Sequence, residues 1–199
     1  MQRPAALATF IDLLCEAAER GAGAHPPACE LAKQMGQALH QHVGRTGQDH
    51  PCQLAVCDYL DQALSLPDLT ASTVAPLARA FAALAPSLAW YQRPAAATDD
   101  PGFFAGHANA LIIASSAMEC RNDLAIGVSL LAPNVVYPCH RHAPREIYTV
   151  LSEGDWFTEA SGWTTPGIGG MVHHDADQIH AMRSGAAPLL ALWCLWMGR

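Results

Sequence analysis

Apolar residues recur with a helical period over roughly the first ninety residues of the chain. One helical face follows the i, i+3, i+4, i+7, i+8 spacing and consists of Leu7, Phe10, Ile11, Leu14 and Cys15. Gly21 and Gly23 are predicted to end this first helix. Three further helices are predicted, from the Pro-Pro pair at 26–27 to about 43, over about 53–64 and over about 72–90.

The pattern changes after residue 108. Short apolar runs of strand length alternate there with Pro, Gly, Asn and Asp, and they read ALIIASSAM, LAIGVSLLA, EIYTVLS and PLLALWCLWM. Several short strands at this spacing favour a sandwich or a barrel. The predicted fold class is therefore α+β, with a helical N-terminal portion (1–91), a linker rich in Pro and Gly (92–108) and an all-β C-terminal portion (109–199).

Composition narrows the classes of function. The chain has 199 residues, 51% of them apolar and 15% charged, which is typical of a globular protein. A net charge of -7 without any run of Lys or Arg argues against a nucleic-acid partner. Acidic residues interrupt the first apolar stretch, and no apolar run reaches the length of a membrane span, so we expect neither a secretory signal nor a membrane partner. Seven cysteines without a CxxC pair indicate reduced thiols and a cytoplasmic location.

The stretch YPCHRHAPREIYTVLSEGDW, residues 137–156, carries the candidate chemistry. In a strand, His140 and His142 point to one face, and Glu146 and Tyr148 also share a face, with a bend expected at Pro144 between the pairs. Two imidazoles and a carboxylate are suitable ligands for a divalent metal ion. A buried glutamate without a partner is costly, which favours a metal site over a strand edge that is rich in histidine by chance. The histidines at 173, 174 and 180 are candidates for a further ligand.

The spacing of these residues resembles the cupin motifs. His140-x-His142, three residues and then Glu146 resemble the first motif, and residues 169–180 resemble the second, which supplies His180. Asn134 and Asp177 stand where the cupin motifs usually have glycine. The resemblance implies that the C-terminal portion is a small cupin β-barrel, a double-stranded β-helix.

A narrower resemblance includes the tyrosines on either side of the ligands. Tyr137 before the histidines and Tyr148 after the glutamate look like the cupin-type dimethylsulfoniopropionate (DMSP) lyases of the DddQ/DddL group, which also place helices before a small barrel. The resemblance implies a carbon–sulfur lyase of the dimethylpropiothetin dethiomethylase type, which cleaves DMSP to dimethyl sulfide and acrylate by β-elimination. It implies one divalent metal ion (Zn, Fe or Mn) held by His142, Glu146, Tyr148 and His180, with His140 beside the metal or bound to it. Tyr137 and Tyr148 match the tyrosines proposed to abstract the proton.

These residue types suit that chemistry. A cation lowers the pKa of a nearby tyrosine, so a tyrosine close to a metal can act as a phenolate base. The implied partner is a small sulfonium carboxylate, and aromatic faces attract such cations. Tyr137, His140 and Trp193 are the predicted substrate-binding residues, and the other tryptophan candidates for the cation are Trp156, Trp163 and Trp196. Core packing in the last strand is the alternative role for Trp193 and Trp196.

Two other functions fit the same ligands. One is an Fe(II) cupin dioxygenase, and the other is a non-enzymatic cupin that binds a small molecule. The helical portion is predicted to be either a lid over the barrel or the interface of a homodimer. Adjacent strand residues face opposite ways, so at most one of His173 and His174 is expected to face the site. Exposed surface roles are predicted for the histidines of the helical portion and linker, His25, His40, His42, His50 and His107.

Overall fold

The computed structural model describes residues 2–23, 25–47, 50–93 and 100–198. The helices of this part are α1 (Ala5–Ala22), α2 (Pro26–Gln41), α3 (Leu60–Leu64), α4 (Pro67–Thr70), α5 (Ala75–Leu84) and α6 (Pro101–Gly106). The first predicted helix is confirmed, and it ends where Gly23 adopts a positive φ of 53° that favours glycine. No helix among the described residues is long and apolar enough to cross a membrane.

The third and fourth predicted helices are shorter than the sequence pattern suggested. The third is divided into a 3-10 turn at Ala55–Tyr59 and α3. The fourth spans only α5 and a 3-10 turn at Ala85–Ser87. Pro86 lies inside that turn, and a proline cannot donate the hydrogen bond that would continue an α-helix. Trp90, predicted to be helical, lies in a strand instead.

The segment predicted as a linker contains regular structure. Residues 94–99 of it lie outside the described residues. After them come α6 and the first long strand, which begins at His107, two residues before the predicted boundary. Asp100 caps α6 by accepting a hydrogen bond from the backbone N–H of Phe103 at 2.9 Å.

The C-terminal portion consists of short strands, as predicted. The strands of the described chain are β1 (Arg45–Thr46), β2 (Trp90–Tyr91), β3 (His107–Ala114), β4 (Glu119–Cys120), β5 (Leu124–Leu131), β6 (Val136–His140), β7 (Arg145–Val150), β8 (Gly154–Thr158), β9 (Gly162–Thr164), β10 (Met171–His174), β11 (His180–Ser184) and β12 (Leu189–Trp196). The larger sheet has the order β1-β4-β3-β5-β12-β7-β10, with β2 paired to β3. The smaller sheet has the order β6-β11-β8-β9.

Alternation along the central strands separates two hydrophobic clusters. On β12, Leu190 and Leu192 pack with the helices in one cluster, whereas Leu189 and Trp193 pack between the two sheets in the other. The helices therefore cover the outer face of the larger sheet. The space between the sheets remains for the residues that carry the candidate chemistry. Both faces of the central strands are buried, which explains their nearly continuous apolar sequence.

Asn134 and Asp177, which stand where the cupin motifs usually have glycine, both have a positive φ. Asn134 has φ 60° and Asp177 has φ 57°, the left-handed region that glycine usually occupies. Asn and Asp tolerate this region better than other side chains because they are short and polar. The turns before β6 and β11, the strands that carry His140 and His180, are therefore formed without glycine.

Candidate active site

The first ligand-bearing strands, β6 and β7, are joined by a short bend. β6 ends at His140, and β7 begins directly after Pro144. A proline in this bend costs no ladder hydrogen bond because the chain is outside the sheet there. His142 projects from the bend and Glu146 from the start of β7. The predicted bend between the two pairs of residues is confirmed.

Strand β11 brings His180 to the same place. It pairs with β6 so that His180 lies opposite His140, and the centroids of the two rings are 4.2 Å apart. The ring of His142 lies 5.1 Å from that of His180. β6 and β11 belong to the smaller sheet, whereas Glu146 belongs to the larger one. The packing of the two sheets therefore brings these residues together.

His142, Glu146 and His180 form a cluster that can hold a metal ion, with one ligand atom from each residue within 4.8 Å of the others. Nε2 of His142 lies 3.1 Å from Oε2 of Glu146, and Nε2 of His180 lies 3.4 Å from it. Glu146 is 3% exposed and His180 is 2% exposed. A carboxylate buried this deeply needs a compensating positive charge.

The second ring nitrogen of each histidine also fits a metal site. Nδ1 of His140, His142 and His180 lies 2.8 to 2.9 Å from a backbone carbonyl oxygen. A carbonyl oxygen only accepts hydrogen bonds, so each Nδ1 carries a proton. Nε2 of His142 donates a hydrogen bond to Glu146 when that ring is protonated, and it offers a lone pair to a metal ion when the ring is neutral. Metal-bound histidines are commonly oriented in this way. In His142 and His180, that Nε2 lies close to Glu146, so this donor set fits a divalent cation. The three carbonyl groups belong to Pro138, Pro144 and Gln178.

The ionisable groups of the cluster shift one another's pKa values. Burial acts to raise the pKa of Glu146, but the hydrogen bond with His142 and the nearby imidazole of His180 lower it to about 2. Burial acts to lower the pKa of His142, but the hydrogen bond and negative charge of Glu146 outweigh this effect and raise it. Burial and the neighbouring His180 lower the pKa of His140 to about 4. Glu146 is therefore ionised and His140 is neutral at neutral pH.

A cavity of about 250 Å³ opens beside the cluster. Tyr137, Tyr148 and Trp193 line it, and these residues are 7%, 4% and 7% exposed. His140 lines it too, so all four residues predicted for substrate binding or proton transfer face one space. The lining also includes Tyr91, Arg93, Asn109, Ser129, Arg141 and Leu195.

Both tyrosines are buried enough to disfavour ionisation. Burial raises the pKa of Tyr137, and the positive charge of Arg93 opposes the shift. Burial raises the pKa of Tyr148 well above its ordinary value, and the negative charge of Glu146 adds to the shift. A phenolate at either position therefore needs additional positive charge nearby.

The other tryptophan candidates for a sulfonium cation occupy different environments. Trp156 is 1% exposed and packs against Tyr148, with ring centroids 6.0 Å apart. Trp163 is exposed and lies under the guanidinium of Arg183 at 4.3 Å. Trp196 packs at the edge of the core that the helices share with the larger sheet. Among the four candidates, the cavity lining includes Trp193 alone.

The sequence analysis gave the wrong environment for two residues that contact Tyr137, His107 and Arg93. His107, predicted to have an exposed surface role, is fully buried. Its ring stacks on Phe103 at 3.9 Å because α6 folds back against the start of β3. Arg93 lies in the segment interpreted as a linker, and its guanidinium lies 5.9 Å from the centroid of the Tyr137 ring. The local sequence carries no signal of the contact between Arg93 and Tyr137, since the two positions are 44 apart along the chain.

His173 and His174 face opposite ways, as alternation requires. His174 is fully buried beside the cluster and stacks on His180, with ring centroids 4.0 Å apart. Neither of its ring nitrogens has a hydrogen-bond partner among the described residues. His173 instead lies near His25, with ring centroids 5.5 Å apart. His174 is thus the member of the pair that lies against a predicted ligand.

Comparison with known proteins identifies similar sequences and folds. The family model described as dimethylsulfoniopropionate lyase matches residues 30–191. Comparison with curated protein sequences gives no significant match.

Two solved structures superpose over nearly the whole chain. A chain from the crystal structures of the DMSP lyases RdDddP and RnDddQII gives a TM-score of 0.74 at 21% identity, covering 96% of this chain and 92% of that chain. The crystal structure of the DMSP lyase DddQ from Ruegeria pomeroyi DSS-3 gives a TM-score of 0.72 at 24% identity, covering 95% and 91%. At these identities the likeness establishes a shared fold. The prediction of helices followed by a double-stranded β-helix is confirmed.

Proposed function

The chain belongs to the dimethylsulfoniopropionate lyase family, and on that premise we propose that it cleaves DMSP to dimethyl sulfide and acrylate by β-elimination. The observation that carries the proposal is that a His-His-Glu cluster able to hold a metal ion adjoins a cavity lined by two tyrosines and a tryptophan. The substrate class is a small molecule with a carboxylate at one end and a sulfonium at the other. The cavity volume of about 250 Å³ suits a molecule of that size.

We assign the metal ligands to His142, Glu146 and His180, with Tyr148 and His140 as the further candidates. The buried carboxylate and the Nε2 lone pairs of the histidines support this assignment. Such an N/N/O donor set suits Zn, Fe or Mn. When bound, a divalent cation would act as a Lewis acid toward the substrate carboxylate and the carbon beside it.

The tyrosines supply the proton acceptor. The phenolate oxygen of Tyr148 takes the proton from the carbon next to the carboxylate. The electron pair of that C–H bond forms the new double bond, and the C–S bond breaks with its electrons on sulfur. Dimethyl sulfide and acrylate leave, and Tyr148 is left protonated. Tyr137 lines the same cavity and is the second candidate for this role.

Burial strengthens the electrostatic interactions of the cavity residues. Tyr137 and Tyr148 are buried, so charges on them interact more strongly with charged neighbours than they would in water. The aromatic face of Trp193 offers a surface for the sulfonium group. Trp193 is the cross-strand partner of Tyr148, so a sulfonium on its ring lies next to the tyrosine that takes the proton.

The test is headspace detection of dimethyl sulfide from purified, metal-loaded protein with DMSP. Release is expected with metal, to be abolished by a chelator and to be restored by adding metal back. The rate is expected to be the same without oxygen, whereas the dioxygenase hypothesis requires oxygen. Metal-loaded protein that yields no dimethyl sulfide under any of these conditions would rule out the lyase proposal.

A further inference from the structure

Arg93 enters the active-site cavity from a backbone position that hydrogen bonds hold against α6 and β3. Its backbone N–H donates a hydrogen bond to Nε2 of His107 at 2.9 Å. Nδ1 of the same ring lies 2.7 Å from the carbonyl oxygen of Phe103. Nε2 of the preceding Gln92 donates to the carbonyl oxygen of Phe104 at 2.7 Å. The backbone of Arg93 is therefore fixed against α6 and β3.

The Arg93 side chain brings a positive charge to the part of the cavity wall beside Tyr137. The guanidinium lies 5.9 Å from the centroid of the Tyr137 ring. The acidic residue that lines the cavity is Glu146, which is already engaged by His142 and His180. Among the described residues, no carboxylate lies within ion-pair distance of Arg93. The guanidinium also hydrogen-bonds the Tyr137 side chain, and its five N–H donors leave others for a ligand carboxylate.

We propose that Arg93 binds the carboxylate of the substrate and so sets which end of the molecule faces the tyrosines. The inference rests on the proposed function, because it assumes a substrate with a carboxylate at one end and a cation at the other. The planar guanidinium donates two parallel hydrogen bonds to a carboxylate. A carboxylate accepts about four hydrogen bonds, so binding by Arg93 is compatible with binding by a metal ion.

Charge also excludes the reversed orientation. A sulfonium group placed beside Arg93 would be repelled, and the repulsion is strong in a buried site. The lining of the same cavity includes the aromatic ring of Trp193, which attracts a cation. Arg93 and Trp193 together favour a zwitterion in one orientation and select against a ligand that lacks the carboxylate.

The proposal is tested by binding rather than by turnover. The probe is 3-(trimethylammonio)propionate, which has the charges of DMSP and a poor leaving group, and its methyl ester serves as the probe without a carboxylate. Calorimetry on metal-loaded protein is expected to show tighter binding of the zwitterion than of the ester. Arg93→Gln is expected to reduce that preference about tenfold or more, and Arg93→Lys to reduce it less because the charge is kept.

Arg141→Gln is the matched control, since Arg141 lines the same cavity but is exposed. The proposal is overturned if Arg93→Gln keeps the preference of the wild type, or if Arg141→Gln lowers it as much. Circular dichroism and metal content verify that each variant is folded and loaded, and Arg93→Lys replaces Arg93→Gln if the latter does not fold. If Arg93→Gln reduces the preference for the zwitterion but the wild-type protein shows no lyase activity, the proposed function is refuted and this inference stands.

Discussion

The indole ring of Trp193 lies directly on the α-carbon of Gly127. The two residues are cross-strand partners on β12 and β5, and both face the space between the sheets. A β-carbon at residue 127 would overlap the indole ring and would lie 2.6 Å from the carbonyl oxygen of Ala110. Glycine is therefore what allows the tryptophan to lie flat at the cavity wall.

Gly127→Ala is expected to displace Trp193 and to destabilise the protein by about 1–3 kcal/mol, the usual cost of overpacking a core. The displaced ring should also weaken binding of a cationic ligand in the cavity. Urea unfolding measures the first effect and calorimetry the second. Gly185→Ala is the control, since a β-carbon there meets no atom within 4 Å, and it should change stability by less than about 0.5 kcal/mol. Equal effects of the two substitutions would contradict this account.

Stability should depend on pH through His107. Burial lowers the pKa of His107, and its Nε2 accepts the Arg93 hydrogen bond, so the folded protein keeps the ring neutral. The unfolded chain has the ordinary histidine pKa of about 6.5 and binds a proton more readily. The stability that His107 contributes is therefore present above that pH and is lost as pH falls toward the lowered folded pKa.

His107→Gln is expected to flatten the pH dependence of the free energy of unfolding between pH 6.5 and the lowered folded pKa. The control is His50→Gln, at an exposed position, which should leave the slope unchanged. Urea unfolding at a series of pH values measures both. A wild-type slope that survives in the His107 variant would show that other groups cause it.

The proposed proton transfer assigns the base to Tyr148 and leaves Tyr137 as the second candidate. Tyr148→Phe is expected to lower kcat for DMSP cleavage by about 10²–10⁴, because a positioned base contributes a factor of this size. Tyr137→Phe is the matched variant, with a second buried tyrosine at the same cavity. Metal content and dimethyl sulfide release are measured together for each protein. Tyr148→Phe that keeps both its metal and nearly full turnover would rule out Tyr148 as the base.

Glu146 and Glu119 are both buried carboxylates, but they have different partners. Glu146 faces two histidines, whereas Glu119 accepts a 2.6 Å hydrogen bond from Nε of Arg3. Glu146→Gln is expected to weaken metal binding by more than about 100-fold, since loss of an outer partner alone costs 10- to 100-fold. Glu119→Gln should lower stability and leave metal content unchanged. Metal titration with elemental analysis distinguishes these outcomes.

Part of the site could be predicted from the sequence because its signals are local. His142 and Glu146 are four residues apart, and the alternation of a strand with a bend at Pro144 is enough to group them. The resemblance to cupins adds His180 from a second motif. The structure brings these three residues together, as expected, whereas the roles of Tyr137, Tyr148 and His140 remain predictions.

Other parts could not be predicted because their contacts are long-range. His107 was expected at the surface, and its burial depends on the fold of α6 against Tyr137. Arg93 was placed in a linker, and no local pattern shows that its side chain reaches the cavity. The fourth helix was predicted too long because apolar periodicity continues past Pro86 although the helical hydrogen bonds do not.

The sequence by itself determined the α+β class, the change from helical to strand period and the ligand spacing, since periodicity and spacing depend only on neighbours along the chain. The tertiary structure alone decided which charged and aromatic groups surround the ligands. Pairing of β11 with β6 and packing of the two sheets set those positions. These contacts join residues far apart in sequence, and their geometry depends on how the whole barrel closes.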